Sequence, residues 1–284
     1  MVAACGLQAG CMHVAEDSSK KWGVRRPALP LSGVEGIDAL VIAAGVIEVP
    51  LGDRYLNQEL WNLVDEQAVP LEAKAGLSAN GLRAGLLGSH PPSEFLALLT
   101  NEKTCMPPRQ IQTRLGQAYS PFPPLKHDLL RFAFKDDDLS EEAEFSKAQC
   151  LWEVTCTQGE DRRLAVRVVP MVRHGEVLFE PQSVTGSEGV MSWQLSQRQE
   201  QERYEGLAVE VDMRPSEFLL IGCTPHANGL LGTSWLTQQR DDGESAVQRL
   251  LVIRVARTGK ALEAPAPDVP RPLALQAQQL TNSR

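Results

Sequence analysis

The chain has 284 residues, 43% of them hydrophobic and 23% charged, enough for one large or two modest domains with real cores. Its 36 acidic against 28 basic side chains leave a net charge of -8, which repels a phosphate backbone, so nucleic acid is not an expected partner. The longest apolar run, 39–47, lies between Asp38 and Glu48 and falls far short of the ~20 residues that span a bilayer, so no transmembrane helix is expected.

At the start, Val2-Ala3-Ala4-Cys5 and Gln8-Ala9-Gly10-Cys11 each place small residues before a cysteine. This is the form of the cleaved end of a bacterial lipoprotein signal, whose thiol takes a diacylglycerol. Cys5 and Cys11 are therefore the candidate lipid-attachment residues, and they predict a bacterial cell-envelope location. A secretory signal also has a positive start and roughly 7–15 apolar residues before cleavage. Neither cysteine has a Lys or Arg ahead of it. Either the start codon lies upstream of Met1, or the two cysteines are ordinary residues of a frayed terminus and the protein is cytoplasmic. Asp17-Ser18-Ser19-Lys20-Lys21 is polar and unpatterned, as a tether should be. Segment 1–36 is read as signal remnant and linker.

A predicted strand opens at Ile37 and stops at Pro50. Leu56, Leu60, Trp61, Leu63 and Val64 then recur at helical spacing, with Asn57, Gln58 and Glu59 on the polar face. Pro70 breaks this helix and starts another, with Leu71 and Leu77 facing inward and Asn80-Gly81 as a left-handed stop. Segment 82–87 is short and apolar, and Ser93 is placed to cap a helix running to Leu99. Asp136, Asp137, Asp138, Glu141, Glu142 and Glu144 carry the oxygen ligands that calcium prefers. They lack the spacing and the glycine of a calcium loop, and read as a solvated acidic turn.

The second half changes period. Trp152, Val154 and Cys156 alternate with polar residues, Gly159-Glu160-Asp161 turns the chain, and Leu164, Val166 and Val168 alternate again, which predicts a hairpin. Further strands are expected at 177–179, 207–213, 218–221 and 249–257. The dense Gln, Arg and Glu of 197–205 fit a solvated loop, a polar strand face or a short exposed helix. After Ala261, repeated Pro, Ala and Gln leave nothing with which to form a core. The expected fold is α+β: a small strand-helix-strand unit with a connecting segment over 37–145, a mostly antiparallel β-rich module over 146–257, and a disordered tail over 258–284.

The words Leu164-Ala165-Val166-Arg167-Val168-Val169-Pro170-Met171-Val172 and His174-Gly175-Glu176-Val177-Leu178-Phe179-Glu180-Pro181, with Pro215 to Gly222, Leu230-Leu231-Gly232 and Arg249 to Arg254 farther on, resemble the secretin homology domain. That family forms the strand-rich pore module of bacterial outer-membrane secretion channels. Its proline-rich lip segment is absent around 224–233 and no long membrane-spanning hairpin is evident. The resemblance thus implies a related β-sheet module more than a working channel. Trp61, Asp65-Glu66-Gln67 and Asn80-Gly81-Leu82-Arg83-Ala84-Gly85 resemble bacterial envelope proteins that have no activity to carry over.

No Gly-x-Ser-x-Gly elbow, His-Glu-x-x-His helix or phosphate-cradling glycine loop occurs. Of the six cysteines, none has the spacing of a metal framework, and buried free thiols are the expected state of Cys105, Cys150, Cys156 and Cys223. Cys223 and His226 make half a zinc site at most. No cofactor is expected. Buried, Trp61 would anchor its helix in the core; exposed, Trp61 or Trp235 would be partner-binding anchors. The function expected from these residues is a non-catalytic envelope protein, lipid-anchored or exported, that binds other envelope proteins or cell-wall components. The alternatives are an enzyme whose undeclared site gathers residues such as Asp65, His174 or His226, and a secretin-like subunit.

Overall fold

Two long strands that bury side chains on both faces set the architecture. The computed structural model describes residues 39–106, 109–136, 139–185, 191–224, 227–239 and 245–257. Its strands are β1 (Ala39–Pro50), β2 (Leu82–Leu87), β3 (Arg109–Arg114), β4 (Leu125–Asp136), β5 (Leu139–Gln158), β6 (Leu164–Thr185), β7 (Met191–Arg203), β8 (Val209–Met213), β9 (Phe218–Cys223), β10 (Thr237–Gln239) and β11 (Ala246–Arg257). Its helices are α1 (Leu71–Ala79), α2 (Ser93–Thr100) and α3 (Leu231–Leu236). The described strands form two sheets, one ordered β2-β9-β11-β1-β3 with β10 also on β11, the other β4-β5-β6-β7 with β8 also on β6. All of these ladders are antiparallel. The described protein is therefore mostly antiparallel β throughout, rather than a small strand-helix-strand unit followed by a β-rich module.

Strand pairing also runs straight across the expected boundary at 145/146. β1 pairs with β11 from Leu40 opposite Arg257 to Pro50 opposite Val247, and β2 pairs with β9. β4 lies along β5 from Leu125 opposite Cys150 to Asp136 opposite Leu139. The reason is visible in the burial of β1: Leu40, Ile42, Ala44 and Val46 enter one core, and Ala43, Ile47 and Val49 enter another. A strand covered on both sides reads as a continuous apolar run and must sit inside a sheet. β11 does the same with Leu251, Ile253 and Val255 against Leu250 and Val252.

The first core lies between the sheets, where Val154, Val166, Val168 and Val211 meet β1, β9 and β11. Its centre is aromatic: the Trp235 ring stands edge-on to Phe132 at 6.3 Å, Trp152 at 5.6 Å and Tyr204 at 5.8 Å. The second core lies on the far face of the first sheet. There Leu56, Leu60, Trp61, Phe95 and Leu99 cover it, and Phe95 meets Phe218 edge-on at 5.6 Å.

The helices that cover this face are shorter than their apolar spacing predicts. Tyr55–Glu59 is a π turn and Leu60–Asn62 a 3-10 turn, after which Leu63 is exposed and Asp65 bridges to Leu86 of β2. A reciprocal amide pair holds the segment down, with Asn57 Nδ2 donating to Gln248 Oε1 and Gln248 Nε2 donating to Asn57 Oδ1, both at 3.0 Å. In α1, Leu77 is buried as expected but Leu71 is exposed. Asn80 is not left-handed, with φ -100; Gly81, with φ 72, makes the stop. Ser93 opens α2 without a side-chain cap, since Pro92 occupies the capping position. The residues of 197–203 belong to β7, so the polar strand face is the form they take. Glu141, Glu142 and Glu144 are strand residues of β5, not part of a turn, and face Phe134, Ala133 and Arg131 across the ladder. The expected tail at 258–284 lies outside the described residues.

The Asn80-Gly81 corner also locks α1 to the second sheet and to α3. The buried Asn80 amide donates to Gly76 O at 3.0 Å and Lys135 O at 2.7 Å, and accepts from Lys135 N at 2.8 Å. Its own carbonyl accepts from Gly232 N at 2.9 Å. Backbones approach so closely here that a Cβ on Gly232 would lie 2.2 Å from the Gly81 oxygen.

Candidate functional site

β6 is longer than its neighbours can cover. β5 pairs with it over 164–173 and β8 over 164–168, whereas β7 pairs with it over 171–174 and again over 178–185. Among the described residues, β7 alone accompanies β6 beyond 173, so the two strands leave the body as a two-stranded arm.

The root of the arm is a register shift between His174 and Leu178, where Gly175 takes φ 77, a conformation that favours glycine. Gln199 Nε2 donates to the Gly175 carbonyl at 2.9 Å, and Lys147 forms an ion pair with Glu176. The His174 ring packs 4.6 Å from Phe145, and its Nδ1 lies 3.7 Å from a Glu200 carboxylate oxygen. These contacts fasten the arm to the body without covering its length.

The register sorts the arm into two unlike faces. Residues directly opposite in an antiparallel pair share a face, and the pairs Phe179↔Gln197, Pro181↔Leu195 and Ser183↔Trp193, with Met191 two residues before Trp193, place the apolar members together. They face water: Phe179 is 60% exposed, Met191 67%, Trp193 73% and Leu195 73%. The other face is mixed: Glu180 and Arg198, 3.5 Å apart as an ion pair, lie there with Gln182, Ser196 and the exposed Leu178. Soluble proteins seldom leave such a contiguous apolar stripe uncovered unless it is a contact surface.

Sequence reasoning passed over Met191, Trp193 and Leu195. The signal was present in the strict alternation Met191-Ser192-Trp193-Gln194-Leu195-Ser196, which is the period of a strand with one apolar face. The indoles chosen as candidate anchors, Trp61 and Trp235, are instead buried. Trp61 is clamped between the Arg83 guanidinium, 4.0 Å from its ring centroid, and Gly222, where an added Cβ would stand 3.0 Å from the ring. Trp235 belongs to the aromatic centre of the first core. Both rings are large apolar bodies at points where two layers meet, and burial there takes them off the surface. Cys5 and Cys11 lie outside the described residues.

Nor do the candidate catalytic residues converge. Asp65 Oδ1 accepts from Gln67 N at 2.9 Å as a local cap beside β2, His174 sits at the arm root, and His226 lies outside the described residues. Cys105, Cys150, Cys156 and Cys223 are free and buried, and burial raises every one of these thiols, Cys105 and Cys223 to about 11 and Cys156 to about 12. A thiol that stays protonated is a weak nucleophile. A shallow cavity of about 180 Å³ beside β1 is lined by apolar residues such as Val46, Met106 and Phe122, with Arg109 at its edge. Among the described residues, no group of three or more His, Cys, Asp or Glu is placed to hold a metal ion.

One titrating group tests the packing between the sheets. Burial, and secondarily the nearby Arg249, push His127 below its ordinary value near 6.5. The unfolded chain then takes up a proton that the folded one resists, so His127 stabilises the fold above about pH 6.5 and loses that contribution as pH falls below it. We expect the urea midpoint to fall less between about pH 7.5 and about pH 5 in His127→Gln than in the wild type; equal falls would rule this out.

Comparison with protein-family models, with curated proteins and with solved structures gave no match.

Proposed function

We propose that this chain is a non-catalytic component of the bacterial cell envelope that works by macromolecular contact, with the β6–β7 arm as its contact surface. The observation that supports contact is the water-exposed apolar face of Phe179, Pro181, Met191, Trp193 and Leu195, set on a ribbon whose opposite face carries the Glu180–Arg198 ion pair. A stripe of one ribbon's width has no concavity in which to hold a small molecule. It has the flatness and the large apolar anchors of a protein-facing surface. The envelope location is supported by the small-residue approaches to Cys5 and Cys11.

The test is photo-crosslinking in the native cells with benzoylphenylalanine at position 193, on the apolar face, or at position 182, on the opposite face. An adduct recovered from the membrane fraction with the probe at 193, and absent with the probe at 182, is the expected result. No adduct from position 193 would refute the contact role, and adduct confined to the cytosolic fraction would refute the envelope location.

A further inference from the structure

The partner of the arm is a second copy of this chain: we infer that two arms stack by their apolar faces about a two-fold axis, an inference that rests on the contact role just proposed. Three observations favour a self-contact.

The first is charge. A chain of net charge -8 repels its own copies wherever acidic surfaces meet. The apolar face of the arm carries no charged side chain among Phe179, Pro181, Met191, Trp193 and Leu195, and the Glu180–Arg198 pair on the other face neutralises itself. Two copies can therefore approach here with no like charges opposed. A basic or an acidic partner finds no charge on that face to recognise.

The second is area. At roughly 100–150 Å² for each well-exposed large side chain, these five offer about 600 Å² per copy. A stacked pair then buries about 1,200 Å², the lower end of a specific protein–protein interface.

The third is shape. An isologous contact needs a surface complementary to itself. A two-stranded ribbon with residues at period two presents a flat stripe of ridges, and a second identical ribbon matches it in length and width at the ~10 Å spacing of stacked sheets. A lone two-stranded hairpin is also marginal in water. Stacking supplies the second layer that the arm lacks in one copy.

The experiment is sedimentation equilibrium of the purified chain between about 2 and 100 µM. We expect a species of twice the 31.1 kDa chain mass at the upper concentrations. Trp193→Glu should raise the dissociation constant at least tenfold, whereas Gln182→Lys on the opposite face should leave it unchanged. Because position 193 is exposed, the urea midpoint of Trp193→Glu at low concentration should match the wild type, which separates lost contact from lost fold. A wild-type chain that stays monomeric throughout, or a dimer that survives Trp193→Glu, overturns the inference. Binding of a monomeric wild type to phosphatidylcholine vesicles, lost in Trp193→Glu, also overturns it, in favour of a lipid surface. The composition of the crosslinked adduct separates the two levels. Two copies joined through position 193 support the inference, a different polypeptide there refutes the second copy but keeps the contact role, and no adduct refutes both.

Discussion

Trp235→Ala is expected to cost about 4 kcal/mol of folding stability, the range for deleting a buried aromatic side chain. Trp235 is buried and touches three other rings, Phe132, Trp152 and Tyr204, which belong to β4, β5 and the turn after β7. No single neighbour can shift to fill the void without losing its own contacts, so the cavity persists. The loss should appear as a lower urea midpoint with an unchanged slope. Trp235→Phe should cost much less. The indole N–H of Trp235 has no hydrogen-bond partner among the described residues, so phenylalanine removes an unsatisfied donor together with part of the ring. If Trp235→Ala kept wild-type stability, the aromatic centre would not hold the sheets together. In the arm the expectation is reversed: Trp193→Glu should change association and leave stability alone.

Asn80→Leu is the second large effect, expected at about 3 kcal/mol. The side chain satisfies both backbone groups of Lys135, donating to its carbonyl and accepting from its N–H. Leucine leaves those two groups of β4 without partners in a part-buried corner, toward the lower end of roughly 1–3 kcal/mol for each group. Asn80→Asp removes only the amide donor. Its carboxylate would face the Gly76 and Lys135 carbonyls with no N–H to offer, at a helix C-terminus that already disfavours negative charge. It should therefore be no better than leucine at neutral pH. Aspartate with wild-type stability in thermal unfolding would show that the bridge to Lys135 contributes little.

Much of the strand content was legible because it depends on local pattern. The unbroken apolar run of β1, ended by Pro50, and the alternation through Val154 and Val166 announced three strands, β1, β5 and β6. β11 was equally plain in Arg249 to Arg257. What the sequence obscured was everything fixed by distant partners. The acidic stretch through Glu141 and Glu144 looked like a turn because charge density is the only local signal there. Its identity as a strand comes from β4 across the ladder, where Arg131 meets Glu144 at 2.7 Å. Similarly, the spacing of Leu56, Leu60 and Val64 is helical, yet the stretch ends after two irregular turns, where the Asp65 backbone pairs with Leu86 of β2. The arm was hidden for a different reason. Alternation in β7 predicts a strand with one apolar face but says nothing about whether anything covers that face. Trp61 and Trp235 illustrate the same limit, since the residue type is suited to burial and to binding alike.

The pairing of β1 with β11 has a consequence for the order in which the protein can be made. β1 leaves a ribosome about two hundred residues before its partner does. Until β11 arrives, one hydrogen-bonding edge of β1 lacks its native partner. Such long-range pairings slow folding, because a large loop must close before the contact offers any return. The second sheet can assemble earlier, since β4, β5, β6, β7 and β8 follow one another closely in the chain. A nascent chain would thus hold a finished hairpin array beside an unfinished central strand, so the first sheet is completed only by the last of the described strands.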